Sequence, residues 1–401
     1  MRAIGFHSVL VILGAVLLAG CGGDASSEVA ASDNSPESDA GTRQGEVVLD
    51  LVESEELDFQ VVQLADNLEN PWGLAFLPGG DMLVTERPGR INRVSPGGTV
   101  TPLTGLPEIR SVNQGGLLDV VLHPDYENTG WIYFTYSNPQ GEEVTSTTIA
   151  RAQLEGDALT NLETLYVQDP PKEPGRHYGS RIVFLEDGTF LASIGDRGLR
   201  DPAQDTQDDA GVLLRLNADG GIPSDNPFVD DDSVNDAHFS YGHRNQQGIV
   251  RHPETGTIWA HEHGPRGGDE LNLIEVGKNY GWPVATYGRE YREDEPVGID
   301  PDETDRFVEP VTQWTPSIAP SGLAAYDGDA FPEWQGNLFV GALAYQQVRR
   351  LELNDNEVTH QETLLSGELG RIRDVRTGPD GFIYLLVDDA NGGIFRMEPA
   401  E

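Results

Sequence analysis

Apolar and polar positions along this chain alternate in short runs rather than at helical spacing. A recurring unit is an apolar segment, a turn rich in Pro, Asp or Gly, and a second apolar segment. It appears as GLAFLPGGDMLVTER from Gly73, LLDVVLHPDYENTGWIYFTYS from Leu117 and RIVFLEDGTFLASIGDRG from Arg181. It returns as GIVRHPETGTIWAHEHG from Gly248, GLAAYDGDAFPEWQGNLFVGAL from Gly322 and IRDVRTGPDGFIYLLVDD from Ile372. Each copy predicts two short strands joined by a hairpin turn. No long segment has helical periodicity, which argues against a βαβ fold.

The remaining residues of each copy supply outer strands, such as residues 90–94 and 348–353. Four strands per copy, six times over, close a six-bladed β-propeller with four-stranded antiparallel blades. A β-helix would need shorter and more uniform repeats. In a propeller the first strand of each blade lines the central channel, and the loops at one end form the site. Residues just ahead of the repeats therefore converge: Gln114, Arg176 and His177, Arg244 and Asn245, Arg371 and Arg373.

Residues 59–401 hold all six repeats, and the segments before them differ in composition. Arg2, the apolar run of residues 9–18 and then Ala19-Gly20-Cys21 have the order of a secretory leader. Leu-Ala-Gly-Cys resembles the bacterial lipobox, so residues 1–21 are expected to be a lipoprotein signal, with lipidated Cys21 anchoring the protein in the periplasm or at an outer surface. Cys21 is the single cysteine, which excludes disulfides and cysteine metal sites. Residues 22–58 are rich in Ser, Ala, Gly, Asp and Glu and read as an acidic disordered tether, with order beginning near Phe59.

Charge changes the picture further. The 26 basic residues face 67 acidic ones, a formal net charge of −41. Such a surface excludes a sequence-independent grip on nucleic acid and disfavours anionic membranes, leaving the lipid as the membrane contact. The acids are spread along the whole chain, and Lys172 and Lys278 are the two lysines. Self-repulsion of this size is relieved by salt and points to a halophilic host.

Residues 241–282 are densest in ionisable groups and glycines. The chain has no GxSxG, HExxH, P-loop or dinucleotide-binding motif. What converges is a candidate general base, His177, with arginines that suit a polyanion and oxygen ligands for a hard cation. Asp269-Glu270, beside Gly264-Pro265 and Gly267-Gly268, offers carboxylates and open carbonyls for calcium. His261 and His263 lack a third ligand at zinc spacing, and with His243 and His252 they are expected to be structural.

The blocks NPWGLAFLPGG, NQGGLLDVVLHPDY, GRHYGSRIVF, SYGHRNQQG, HEHGPRGGDELNLIEVGKNYGWP and SIAPSG resemble those of the glucose/sorbosone dehydrogenase family. These are pyrroloquinoline-quinone (PQQ)-dependent soluble aldose sugar dehydrogenases. The resemblance implies oxidation of an aldose at C1 to a lactone, with electrons passing to a periplasmic acceptor. It implies His177 as the base and Arg244 as the stabiliser of developing charge. Gln114, Arg244, Asn245, Arg371 and Arg373 would hold PQQ. Gly264 and Pro265 would hold a catalytic Ca²⁺, and Glu270 and Tyr280 a second, structural one. A propeller sugar-lactone hydrolase would instead need a central Glu, Asn and Asp cluster, and a non-catalytic sugar- or protein-binding propeller would have no use for the full set.

Two positions depart from the glucose-oxidising members. Ala344 stands where they carry a cofactor-contacting lysine, and Arg176 stands where they carry an aspartate. The melting temperature is expected to rise with added NaCl as repulsion between the spread acids is screened. A thermal scan from low to molar NaCl that shows no rise would count against a high-salt adaptation.

Overall fold

The computed structural model describes residues 45–173 and 175–400. The expected leader, Cys21 and most of the tether lie outside the described residues. The described residues form six antiparallel sheets, five of four strands and one of five. Their innermost strands are Pro71–Phe76, Leu117–Leu122, Ile182–Phe184, Gln246–Arg251, Pro320–Ala325 and Ile372–Thr377. Each contacts the next in this order and the last contacts the first, so they ring a central axis. The six predicted hairpins are these strands and their partners, and the six-bladed propeller is the fold. Among the described residues the sole α-helix is the single turn Tyr126–Thr129.

The ring closes through the chain's two ends. Gly392–Pro399 pairs with Phe59–Leu68, Phe59 opposite Pro399 and Leu68 opposite Gly392. One expectation is corrected here. Order does not begin near Phe59, because Glu46–Val52 pairs antiparallel with Phe59–Leu68 as a fifth strand. Average composition hid the apolar residues of EVVLDLV, whose Leu49 and Val52 pack against the core cluster around Phe59 and Trp334. Glu56 then pairs with buried Arg350 at 3.3 Å.

Each blade is covered on both faces, so its inner strands are apolar almost throughout rather than cleanly alternating. Met82–Glu86, Phe190–Ile194 and Ile383–Val387 are buried at every position. The core is divided accordingly into clusters between neighbouring blades. Leu83, Ile91, Phe134 and Ala150 fill the gap between the first and second, and Phe190, Leu214, Tyr133 and Ile149 the next.

The channel itself is plugged by charge. Arg181 Nη1 lies 3.2 Å from Asp119 Oδ1 and 3.0 Å from Asp374 Oδ1. Arg376 donates to both acids at 2.9 Å. Asp119 and Asp374 also accept backbone N–H groups of Ile182 and Leu74. Two cations thus balance two anions among strands of four blades. Removing one member leaves a buried charge uncompensated. Asp119→Ala is expected to destabilise the fold by about 3–5 kcal/mol, read as a lowered denaturant midpoint; a shift under 1 kcal/mol would show that the plug is not a keystone.

Candidate functional site

Above this plug, at the end where the inner strands begin, is a cavity of about 370 Å³. Its wall comes from two kinds of segment. Gln114, Tyr178, Gly179, Asn245, Ala319 and Arg371 precede or open inner strands, while Arg87, His263, Leu343 and Asp388 follow second strands. The floor is Trp72, whose ring stacks on Arg181 at 4.1 Å and lies 5.8 Å from Arg373. Gln114, Asn245, Arg371 and Arg373 therefore share one cavity, as the repeat phase predicts.

His177 flanks it, and its placement is built with care. The residue takes a left-handed backbone, φ +59°. Its carbonyl packs so tightly on Gly195 that a Cβ there would lie 2.3 Å away, which requires glycine. Gln114 Oε1 accepts the His177 backbone N–H at 2.9 Å. On the ring, Nδ1 lies 2.6 Å from Asp196 Oδ1. Asp196 in turn accepts Gly198 N–H at 2.7 Å and Trp282 Nε1–H at 2.8 Å.

An ionised Asp196 accepts the Nδ1 proton, which leaves Nε2 as the proton acceptor. Burial holds the His177 pKa below its ordinary value; the Asp196 hydrogen bond opposes this, and the Arg244 charge adds to it. Burial also disfavours the Asp196 charge, but His177, Arg244 and Gly198 outweigh it and keep that carboxyl below the usual range. The imidazole is thus neutral at pH 7 and aligned.

Arg244 and Asn245 are fixed by Glu262, which accepts both their backbone N–H groups and lies 2.9 Å from His243 Nδ1. Arg244 donates to the His263 carbonyl at 2.9 Å and lies over the Trp282 ring. Asn245 Oδ1 accepts Gly179 N–H at 3.1 Å, tying it to the His177 segment. Among the described residues, the buried Nε atoms of Arg244 and Arg373 find no hydrogen-bond partner.

Arg371 and Arg373 meet at one acid. Asp388 Oδ2 lies 3.6 Å from Arg371 and 3.0 Å from Arg373. Burial raises the Asp388 pKa, but Arg373, Asn70 and Arg371 outweigh burial and hold it low. In the blade of Ala344, the cavity wall is Leu343 and Ala319, and no cation there replaces the lysine. Neither lysine lines this cavity. The cation on its rim outside the expected set is Arg87.

Gly264 and Pro265 start the loop just beyond His263, with Gly264 N–H bound to Asp269 Oδ1 at 2.9 Å. Glu270 and Tyr280 sit apart from the cavity. Burial, then the neighbouring Glu262, pushes the Glu270 carboxyl well up, and the Tyr280 ring stacks on His243 at 4.4 Å. Of the four histidines expected to be structural, His263 departs by lining the cavity, with Nε2 2.7 Å from the Pro320 carbonyl.

With this geometry in place, the comparisons with known proteins are direct. Residues 68–396 match the family model described as Glucose / Sorbosone dehydrogenase. The chain belongs to that family. It is 40% identical over 340 residues to the aldose sugar dehydrogenase YliI of Escherichia coli, covering 84% of this chain and 92% of the other. It is 30% identical over 423 residues to quinoprotein glucose dehydrogenase B of Acinetobacter calcoaceticus, covering 85% and 87%. Among solved structures it resembles the PQQ-bound form of aldose sugar dehydrogenase from Streptomyces coelicolor, with TM-score 0.70, 29% identity, and 85% and 98% coverage.

In this member of the family, sequence reasoning missed Asp196, Glu262, Trp72 and Asp388. Each lies in a quoted repeat or block, but its partner lies in another segment of the chain; Asp196, in the GDRG after a second strand, and Asp388, directly after another, carried a positional signal. In an NMR titration, His177 is expected to stay neutral to below pH 6.5. Asp196→Asn should lower its pKa further, because the carboxylate is the group that raises it. A wild-type value above 6.5 would overturn this electrostatic account.

Proposed function

We infer that this family member is a PQQ- and calcium-dependent aldose sugar dehydrogenase that oxidises C1 of an aldose to the lactone. The observation that carries the reading is the neutral His177, held through Nδ1 by Asp196, beside a cavity lined by Arg371 and Arg373, with the buried Nε atoms of Arg373 and of nearby Arg244 lacking partners among the described residues. Unpartnered buried guanidinium nitrogens suit an anionic guest, and PQQ carries three carboxylates. Arg371 and Arg373 would hold carboxylates, with Gln114 and Asn245 as amide contacts and Trp72 as an apolar floor. When bound, PQQ supplies the two-electron acceptor for hydride from C1. His177 Nε2 takes the proton of the anomeric hydroxyl, and Asp196 stabilises the imidazolium that forms. Arg244, beside His177, offers positive charge where negative charge develops.

The donor set also fits calcium, a hard cation with oxygen ligands. Among the described residues no group of three or more His, Cys, Asp or Glu is placed to hold a metal. Backbone carbonyls of Gly264 and Pro265 would therefore supply ligands, with their loop pinned by Asp269. For the second ion, Glu262 and Glu270 are adjacent buried carboxylates, and the buried Asn272 Oδ1 beside them has no partner among the described residues. A cation there relieves their repulsion, with the Tyr280 carbonyl as a further ligand. The leader supports placement as a periplasmic or outer-surface lipoprotein, anchored through Cys21 and handing electrons to a periplasmic acceptor.

Purified chain reconstituted with PQQ and Ca²⁺ in high salt should reduce a dye with aldoses. His177→Ala should lower kcat by about 10²–10⁴-fold without losing PQQ binding seen by absorbance. Chelation before PQQ is added should lower Tm. No cofactor spectrum and no turnover on any aldose would sink the reading, and full activity in His177→Ala would sink the base.

A further inference from the structure

Beside the cavity lies a second, wider depression of about 780 Å³, and the two share Asn113 and Gln114 in their walls. Its charged lining is Lys172, Glu173, Arg176 and Arg197. Three cations to one acid is a local reversal in a chain whose acids outnumber its bases 67 to 26. A reversal of field at the edge of a reaction site favours an anion there over a neutral group.

Two of these cations are committed to the protein. Lys172 pairs with Asp208. Arg197 is buried, lies 3.8 Å over the Tyr178 ring, and donates to Gln168 Oε1 at 2.9 Å and Thr145 Oγ1 at 3.0 Å. Arg176 differs. Its side chain is exposed, and no hydrogen bond or ion pair ties its guanidinium to another described residue.

Its seat is nevertheless built. Arg176 runs across Gly198, where a Cβ would stand 2.7 Å from Nε, so another residue at that turn would displace the side chain. Gly198 holds φ +76°, and its N–H binds the same Asp196 oxygen that holds His177. Arg176 is thus mounted on the turn that orients the base, one residue before it in sequence. A guanidinium without a partner, lying across the turn beside the base, is placed to meet the far end of a sugar whose C1 lies at His177.

We propose that this depression is a substrate subsite in which Arg176 binds an anionic group, carboxylate or phosphate, on the end of the aldose remote from C1. The preferred substrate is then an acidic aldose rather than a neutral hexose. This rests on His177 acting at C1. The chemistry at C1 is that of the preceding reading, and the remote anion forms and loses no bond.

The test uses the full chain loaded with PQQ and Ca²⁺, assayed on D-glucuronate, D-glucose 6-phosphate and D-glucose at low and high NaCl. One of the anions should exceed glucose in kcat/KM by about tenfold, the scale of a charge-assisted hydrogen bond, and which of the two leads tells carboxylate from phosphate. That preference should shrink with NaCl. Arg176→Ala should lower the ratio of anionic to neutral kcat/KM by about tenfold, and Arg176→Lys should keep most of it. A second readout is saturation-transfer NMR of the better anion on the chain without cofactor, which should weaken in Arg176→Ala. Turnover of glucose with no anion preferred, or a ratio unmoved by Arg176→Ala, overturns the subsite and leaves the C1 reading standing. Turnover of no aldose at all overturns both.

Discussion

The site depends on a neutral cluster of buried charge at the centre of the ring. Asp119, Arg181 and the pair Asp374 and Arg376 come from three different blades, and each satisfies groups of the others. A six-bladed ring has an axis that apolar side chains do not fill on their own, and water there would loosen the floor of any cavity above it. Paired arginines and aspartates fill that axis while meeting backbone donors. Arg181 also donates to the carbonyls of Gln247 and Arg373, so the plug reaches residues that face the cavity. Trp72, lying over Arg181, converts this polar floor into an apolar one for a bound guest.

On that floor the reactive residues are held one layer at a time. Asp196 holds the ring of His177, Gln114 its backbone, and Gly195 makes room for its carbonyl. Glu262 does the same for Arg244 and Asn245 from within the fourth blade. Neither carboxylate lines the cavity, yet both decide which atoms face it. Support of this kind is what keeps a reactive geometry fixed without the guest present.

The electrostatics are local rather than global. A chain with net charge −41 concentrates guanidinium groups at one mouth, where Arg87, Arg371 and Arg373 line a cavity whose one acid does not neutralise them. That acid is Asp388, lying between Arg371 and Arg373 and holding both near the rim. Its presence leaves a net positive grip rather than an open pair.

The sequence by itself determined the repeat, the number of blades and the end of the ring where Gln114, His177, Asn245, Arg371 and Arg373 gather. These follow from strand periodicity and turn chemistry, which are local and repeat six times. It also carried the apolar run of EVVLDLV, although the acidic composition around it hid the strand that pairs with Phe59–Leu68. What tertiary structure decided is everything that rests on pairing across blades. His177 could be marked as a base by its place before a strand, but its neutrality comes from burial and the nearby Arg244 charge, and its orientation from Asp196, nineteen residues on and in another loop. Arg176 and Arg197 read alike in sequence, yet one is buried on Tyr178 and the other stands exposed across Gly198. A side chain's charge state and freedom depend on what surrounds it in space, and in a propeller those neighbours come from blades far apart along the chain.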